Sequence, residues 1–143
     1  MLRSASALAE PASPVPLPAS AAGVQRALLR ALLAFDDPAF PRIDLAHVEA
    51  RIAAMANPLA DARYRAGLAA FDHTGPFPSG VASFSELALP DARAVVQRWF
   101  DSDAVGQRRF IRDVKQFAML AVYSDPVVWA AIHYAGPFEP RLR

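Results

Sequence analysis

Three histidines, a few paired carboxylates and a run of arginines are the side chains here that could move a proton, hold a metal or grip a phosphate. His47, His73 and His133 stand far apart in the chain. A metal site normally draws at least two ligands from neighbouring positions, such as histidines one helical turn apart. No histidine has such a neighbour: His73 beside Asp72, and His47 near Glu49, are adjacent polar residues and no more. General acid–base chemistry needs carboxylates held in a cleft with their pKa values pushed apart. Asp36-Asp37 and Asp101 with Asp103 fall instead at the ends of helical runs, where capping and the helix dipole account for them. Cysteine is absent, which removes disulfides, thiolate metal sites and cysteine nucleophiles. There is no G-x-S-x-G, no Walker-type loop and no G-x-G-x-x-G, and six scattered glycines cannot cradle a phosphate. No catalytic, cofactor-binding or metal-binding residue is assigned to this chain.

The basic cluster Arg98, Arg108, Arg109, Arg112 and Lys115 poses a nucleic-acid question. Arg108, Arg112 and Lys115 share one helix side at spacings of four and three, but Asp101, Asp103 and Asp113 dilute the patch. The whole chain carries a net charge of only +1, too little to steer a polyanion. A solvated helix face, or arginines that pair with the carboxylates of a protein partner, fits better than nucleic acid. All the basic residues but Lys115 are arginine, which suits bidentate pairing at interfaces.

The elements that must carry these residues are helices. Val24, Leu28, Leu32 and Phe35 make one stripe, widened by Leu29 and Leu33, after Ser20 as a candidate N-cap. Asp44 caps a second helix with Leu45, Val48, Ile52 and Met55 on its apolar side, ending near Asn57-Pro58. An alanine-rich third run covers Ala60 to Phe71, followed by a loop from His73 to Gly80. Phe84 and Leu87 suit a single turn. Pro90 suits a first helical position, ahead of a buried face of Ala92, Val95, Val96, Trp99 and Phe100. Asp101-Ser102-Asp103 breaks that run and can cap a long helix from Ala104 to Tyr123. Its inner side is Phe110, Ile111, Val114, Phe117, Ala118, Ala121 and Val122. Ser124-Asp125 caps a last short helix that starts at Pro126, with Trp129 and Ile132 inside.

Apolar alternation of period two never persists, so no strand is expected. The expected fold is all-α, a single compact bundle of about five to six short helices with extended N- and C-terminal arms. Residues 1–19, with four prolines between Pro11 and Pro18, form a proline-rich arm; 20–138 form the helical domain, and 139–143 a C-terminal tail. The longest apolar stretch, Phe117 to Tyr123, is far short of the roughly 18 residues of a membrane span. The opening MLRSASALAE has no apolar secretory core and no twin-arginine pair, so a cytoplasmic location is expected; periplasmic export together with a partner is also compatible.

The C-terminal stretch is the most informative. Tyr123, Trp129, Tyr134, Pro137 and Phe138 bring large apolar side chains together near an irregular end. Such a set either closes the protein's own core or anchors an interface.

Read in order, Phe84-x-x-Leu87, Arg93, Trp99, Ser102, Arg108-Arg109-Phe110, Lys115, Ala121-Val122-Tyr123-Ser124-Asp125-Pro126, Trp129, Ile132, Tyr134 and Gly136-Pro137 resemble a known family. It is the gluconate 2-dehydrogenase subunit 3 family, the small subunit of membrane-linked flavin dehydrogenases. The stretch is also similar to the helical region that precedes the flavin domain in long-chain alcohol oxidases of the glucose–methanol–choline family. The resemblance covers about residues 84–138 and is most specific in its ending, Tyr-Ser-Asp-Pro…Trp-x-x-Ile-x-Tyr-x-Gly-Pro. His133 stands where it leads one to expect glycine.

The resemblance implies a non-catalytic accessory subunit that supports the folding, stability or export of a large flavoprotein subunit. FAD and the catalytic base would belong to that partner and no cofactor to this chain. On that reading the partner interface is expected at Tyr123, Trp129, His133, Tyr134, Gly136, Pro137 and Phe138, with Arg108 and Arg112. The alternative left open by the residues alone is an independent helical interaction or regulatory domain with an unrelated partner.

Overall fold

An amphipathic helix keeps its apolar stripe from water only by laying it against another helix. A chain that reads as several such helices must therefore fold into a bundle. In the computed structural model, which describes residues 17, 19–35, 40–55, 58–73 and 77–134, this is what forms. The elements are α1 (Ala19–Leu33), α2 (Leu45–Met55), α3 (Pro58–His73), a 3₁₀ turn (Phe84–Glu86), α4 (Leu89–Phe100), α5 (Val105–Tyr123) and α6 (Pro126–Ala131). Among the described residues there is no strand. The expected arm and tail, and Gly136, Pro137 and Phe138 with them, lie outside the described residues.

α1 and α5 form the spine. α1 packs on α2, α3, α4 and the 3₁₀ turn, and α5 packs on α2, α3, α4 and α6. Leu28, Leu29, Leu68, Phe71, Phe84, Ile111 and Ala118 are fully buried between them. The aromatic centre is Phe71, whose ring meets Phe84 at 4.4 Å and Trp99 at 4.7 Å, both edge to face. Phe110 closes the cluster against Trp99 at 5.7 Å and Tyr64 at 6.1 Å. Each such pair adds about 0.5–1.5 kcal/mol beyond its buried area, so this cluster ties α3, α4, α5 and the 3₁₀ turn together.

Polar groups fix the seams. Arg26 on α1 grips Glu49 on α2 in a bidentate pair, Nε to Oε1 at 3.1 Å and Nη2 to Oε2 at 2.6 Å, and the bond to Glu49 raises the guanidinium pKa. Arg93 on α4 donates to the Ala34 carbonyl just past α1. Asp72 accepts the Phe84 backbone N–H at 3.0 Å, so its carboxylate positions the 3₁₀ turn. The Tyr64 hydroxyl donates to Oε1 of Gln25, a buried amide on α1, at 2.9 Å. Burial first, and then the charge of Glu49, push the Tyr64 pKa well above its usual value.

The caps and faces follow the sequence in most places. Asp44 accepts from the backbone N–H of Ala46 and His47 at 2.9 and 3.3 Å. Phe84, Leu87, Val95, Val96, Trp99, Ile111, Val114 and Ala118 are buried. Phe110 and Phe117, expected on the inner side of α5, are only half-buried, and the other departures sit at helix ends. α1 begins at Ala19, so Ser20 lies inside it, and Phe35, two residues past its end, is 41 % exposed against Phe40. α3 begins at Pro58 and runs on to His73. Pro90 is the second residue of α4, after Leu89. Neither Asp101 nor Asp103 caps α5, whose N-cap is Ala104 with no side-chain cap bond; Ser102 braces the entry, accepting from the Ala104 N–H at 3.1 Å and donating to Gln107 at 2.5 Å. In α6, Val128 is the buried anchor, while Trp129 is half-buried and Ile132 is exposed.

Candidate partner interface

The exposed side of α5 changes character along its length. Arg109, Arg112, Asp113 and Gln116 are exposed on its first half, and Leu120 and Tyr123 on its second. Positions eleven apart lie about 20° apart on a helix, so Leu120 continues the line of Arg109, and Tyr123 that of Arg112. One face thus carries guanidinium groups at one end and large apolar groups at the other. Leu120 is 52 % exposed and Tyr123 49 %.

The apolar end carries on into α6 through a tightly specified corner. Ser124 caps α5 and its hydroxyl donates to the Ala121 carbonyl at 2.7 Å. Asp125 then caps α6, accepting from the Val127 N–H at 2.9 Å, with Pro126 in the first turn where its missing N–H costs nothing. Val128 pins α6 to the core, and the Trp129 indole N–H donates back to the Tyr123 carbonyl.

α6 ends in a left-handed cap. His133 has φ of 55°, its N–H meets the Ala130 carbonyl at 3.4 Å, and the Tyr134 N–H meets the Trp129 carbonyl at 2.8 Å. The apolar contact usual to this cap joins Tyr134 to Trp129, with centroids 5.9 Å apart and planes at 86°. The left-handed position is one that glycine fills at least cost, which gives physical sense to the glycine expected there.

Of the expected interface residues, the structure brings Tyr123, Trp129, His133 and Tyr134 together on this corner. Arg112 lies on the same α5 face about 16 Å along the helix from Tyr123, at 1.5 Å per residue. Arg108 is turned aside: it is half-buried and donates to the Ser102 carbonyl, bracing the loop into α5. Exposed Leu120 and Val127 were missed from the sequence. Leu120 carried a usable signal, since it is an apolar residue on the polar line of Arg109.

The histidines are not gathered: His47 lies on α2, His73 at the end of α3 and His133 at the cap, all exposed. Among the described residues no three metal-ligating side chains come together, and no helix is long and apolar enough to cross a membrane.

Five of the seven large apolar side chains exposed among the described residues lie on the end of α5 and on α6 with its C-terminal cap, with Phe35 and Val105 elsewhere. The chain belongs to the gluconate 2-dehydrogenase subunit 3 family, whose match runs over residues 11–136, well beyond the stretch where the resemblance was seen. Membership implies a subunit of a multi-subunit dehydrogenase complex. Comparison with curated proteins and with solved structures gives no match.

Proposed function

We propose that this chain is a non-catalytic accessory subunit that binds and stabilises the large, FAD-dependent subunit of a glucose–methanol–choline-type oxidoreductase. The observation that carries the reading is the exposed apolar corner of α5 and α6 in a member of a dehydrogenase-subunit family. Leu120, Tyr123, Val127, Ile132 and Tyr134 are between 41 and 63 % exposed. Burying a large apolar side chain fully is worth about 1.5–3 kcal/mol, so completing the burial of half-covered groups yields about 1 kcal/mol each. Leu120, Tyr123, Ile132 and Tyr134, set around the Trp129 ring, supply the core of a specific interface, while Val127 faces the loop before α2. FAD and the reacting groups belong to the partner, and this chain supplies shape and apolar surface.

The test is co-expression of the tagged chain with the flavoprotein of its native cells, followed by purification on the tag. A yellow complex near equal stoichiometry supports the reading. A colourless, folded, partner-free monomer overturns it and leaves an independent helical domain.

A further inference from the structure

A second feature lies beside that corner, on the seam between α3 and α5. There the two helices leave an open groove of about 460 Å³, within the range of sites that enclose a small ligand or a few large side chains. Its floor is aromatic, built from Tyr64, Phe110 and Phe117. The Tyr64 hydroxyl is turned to Gln25, so the floor offers mainly ring surface.

Two glycines shape the groove. At Gly67 an added Cβ would lie 2.2 Å from the Phe110 ring, so glycine lets that ring settle onto α3. At Gly106, in the first turn of α5, an added Cβ would meet nothing within 4 Å. No packing demand therefore explains glycine at 106, which leaves the mouth of the groove open. The rim is charged. Arg63 and Arg109 stand against one carboxylate, Asp113, whose contact with Arg109 is long at 3.9 Å and mostly exposed. Such a pair contributes little and gives way readily to a better acceptor. Two guanidinium groups around an aromatic floor complement an apolar side chain with a carboxylate beside it.

We propose that this groove takes a segment of the large subunit, an apolar side chain flanked by an acidic residue, as a second anchor beside the α5–α6 corner. The proposal rests on the accessory-subunit reading. The groove shares α5 with the apolar corner, and Phe117 of its floor lies one turn before Leu120, so one partner surface can cover both.

The test uses the full chain co-expressed with the large flavoprotein subunit, measuring flavin retained per chain and the dissociation constant of the purified pair. Gly106→Trp fills the mouth at a position with open space, and the lone variant should melt no lower than the wild type. Gly106→Leu is the smaller substitute should the tryptophan disturb folding. Either should weaken the pair about tenfold or more, and Arg63→Glu with Arg109→Glu should weaken it similarly while flattening its salt dependence. Full assembly by both Gly106 variants overturns the groove proposal and leaves the corner as the interface. Blocked assembly with Gly106→Trp but no effect of charge reversal overturns the acidic occupant. If the wild-type chain captures no flavoprotein, the accessory-subunit reading falls, and the groove proposal with it.

Discussion

Gly23 and Gly67 offer the same substitution in two helices with opposite expected outcomes. Replacing glycine by alanine inside a helix gains about 1 kcal/mol from propensity alone. At Gly23 in α1 an added Cβ meets nothing within 4 Å, so Gly23→Ala should realise that gain in full. At Gly67 the same Cβ lands 2.2 Å from Cδ2 and 2.3 Å from Cε2 of Phe110. Carbon atoms settle at about 3.5–4.0 Å, so the ring must move by more than about 1 Å. On the core side Trp99, Phe71 and Tyr64 hold it at centroid distances of 5.7, 6.2 and 6.1 Å, so it can give way only toward the α3–α5 groove. Overpacking of this kind costs about 1–3 kcal/mol, and so large a displacement draws on the upper end. Net of propensity, Gly67→Ala should lose about 1–2 kcal/mol, leaving the two variants about 2–3 kcal/mol apart. Urea unfolding followed by tryptophan fluorescence reads this directly, since Trp99 is buried in the affected cluster. With a slope of about 1–3 kcal/mol/M, the midpoints should separate by about 1 M or more. In a Phe110→Leu background the penalty at Gly67 should shrink, which isolates the ring as its cause. A Gly67→Ala protein as stable as Gly23→Ala would refute the close approach of α3 and α5.

Three further outcomes are expected. Leu120→Asp and Tyr123→Asp should each cost the lone chain about 1–2 kcal/mol, for the half of the side chain already buried and a carboxylate in the last turn of α5, leaving it folded, yet cost at least about tenfold in capture of the flavoprotein. His133→Gly should stabilise by about 0.5–1 kcal/mol, because relief of a left-handed non-glycine residue exceeds the added unfolded-state entropy; an unchanged or lower melting temperature would contradict that cap. Tyr64 has a folded-state pKa raised above its unfolded value near 10, so its contribution is intact below that pH and is lost as the pH rises above it. Wild-type stability should therefore fall above about pH 10 in a way that Tyr64→Phe does not, and parallel pH profiles for the two would dismiss the buried hydroxyl as the cause.

The helix faces were open to sequence reading wherever a helix was long enough for its phase to hold. Val95, Val96 and Trp99 on α4, and Ile111, Val114, Ala118, Ala121 and Val122 on α5, are buried where their spacing put them. Phase fails where the helix stops. Phe35 continues the stripe of Leu28 and Leu32 only if α1 continues, and it ends at Leu33. Ile132 would face inward from a longer α6, but it is the C-cap, and the backbone turns away beneath it. What the sequence hid were contacts between distant segments, because no local pattern encodes them. The Arg93 bond to Ala34 and the seating of Phe110 on Gly67 each need the bundle to exist first. In the candidate interface the aromatic residues draw attention by type, whereas the bond of Arg108 to the Ser102 carbonyl depends on the fold of the loop before α5 and has no local pattern.

The C-terminal motif, which carries the family resemblance most strongly, gains a physical meaning from this geometry. Ser124 closes α5, Asp125 opens α6, Pro126 fixes its first turn, and Trp129 ties α6 back to the Tyr123 carbonyl. The left-handed cap at His133 then turns the chain so that Tyr134 lands edge-on against Trp129. Ser124, Asp125, Pro126, Trp129 and Tyr134 of the motif therefore shape the corner, while Leu120 and Tyr123 present the surface. Mutations should separate along that line. Damage to the caps should lower stability and partner binding together, because the apolar groups lose their relative positions. Damage to the presenting groups should lower binding far more than stability, since about half of each is already exposed. The Ser-Asp-Pro turn gives a six-residue helix, seated on the core by Val128, a corner fixed by several local bonds. Its rigidity makes sense when the exposed rings must meet a second surface at low entropic cost, which is how preorganised anchors gain affinity.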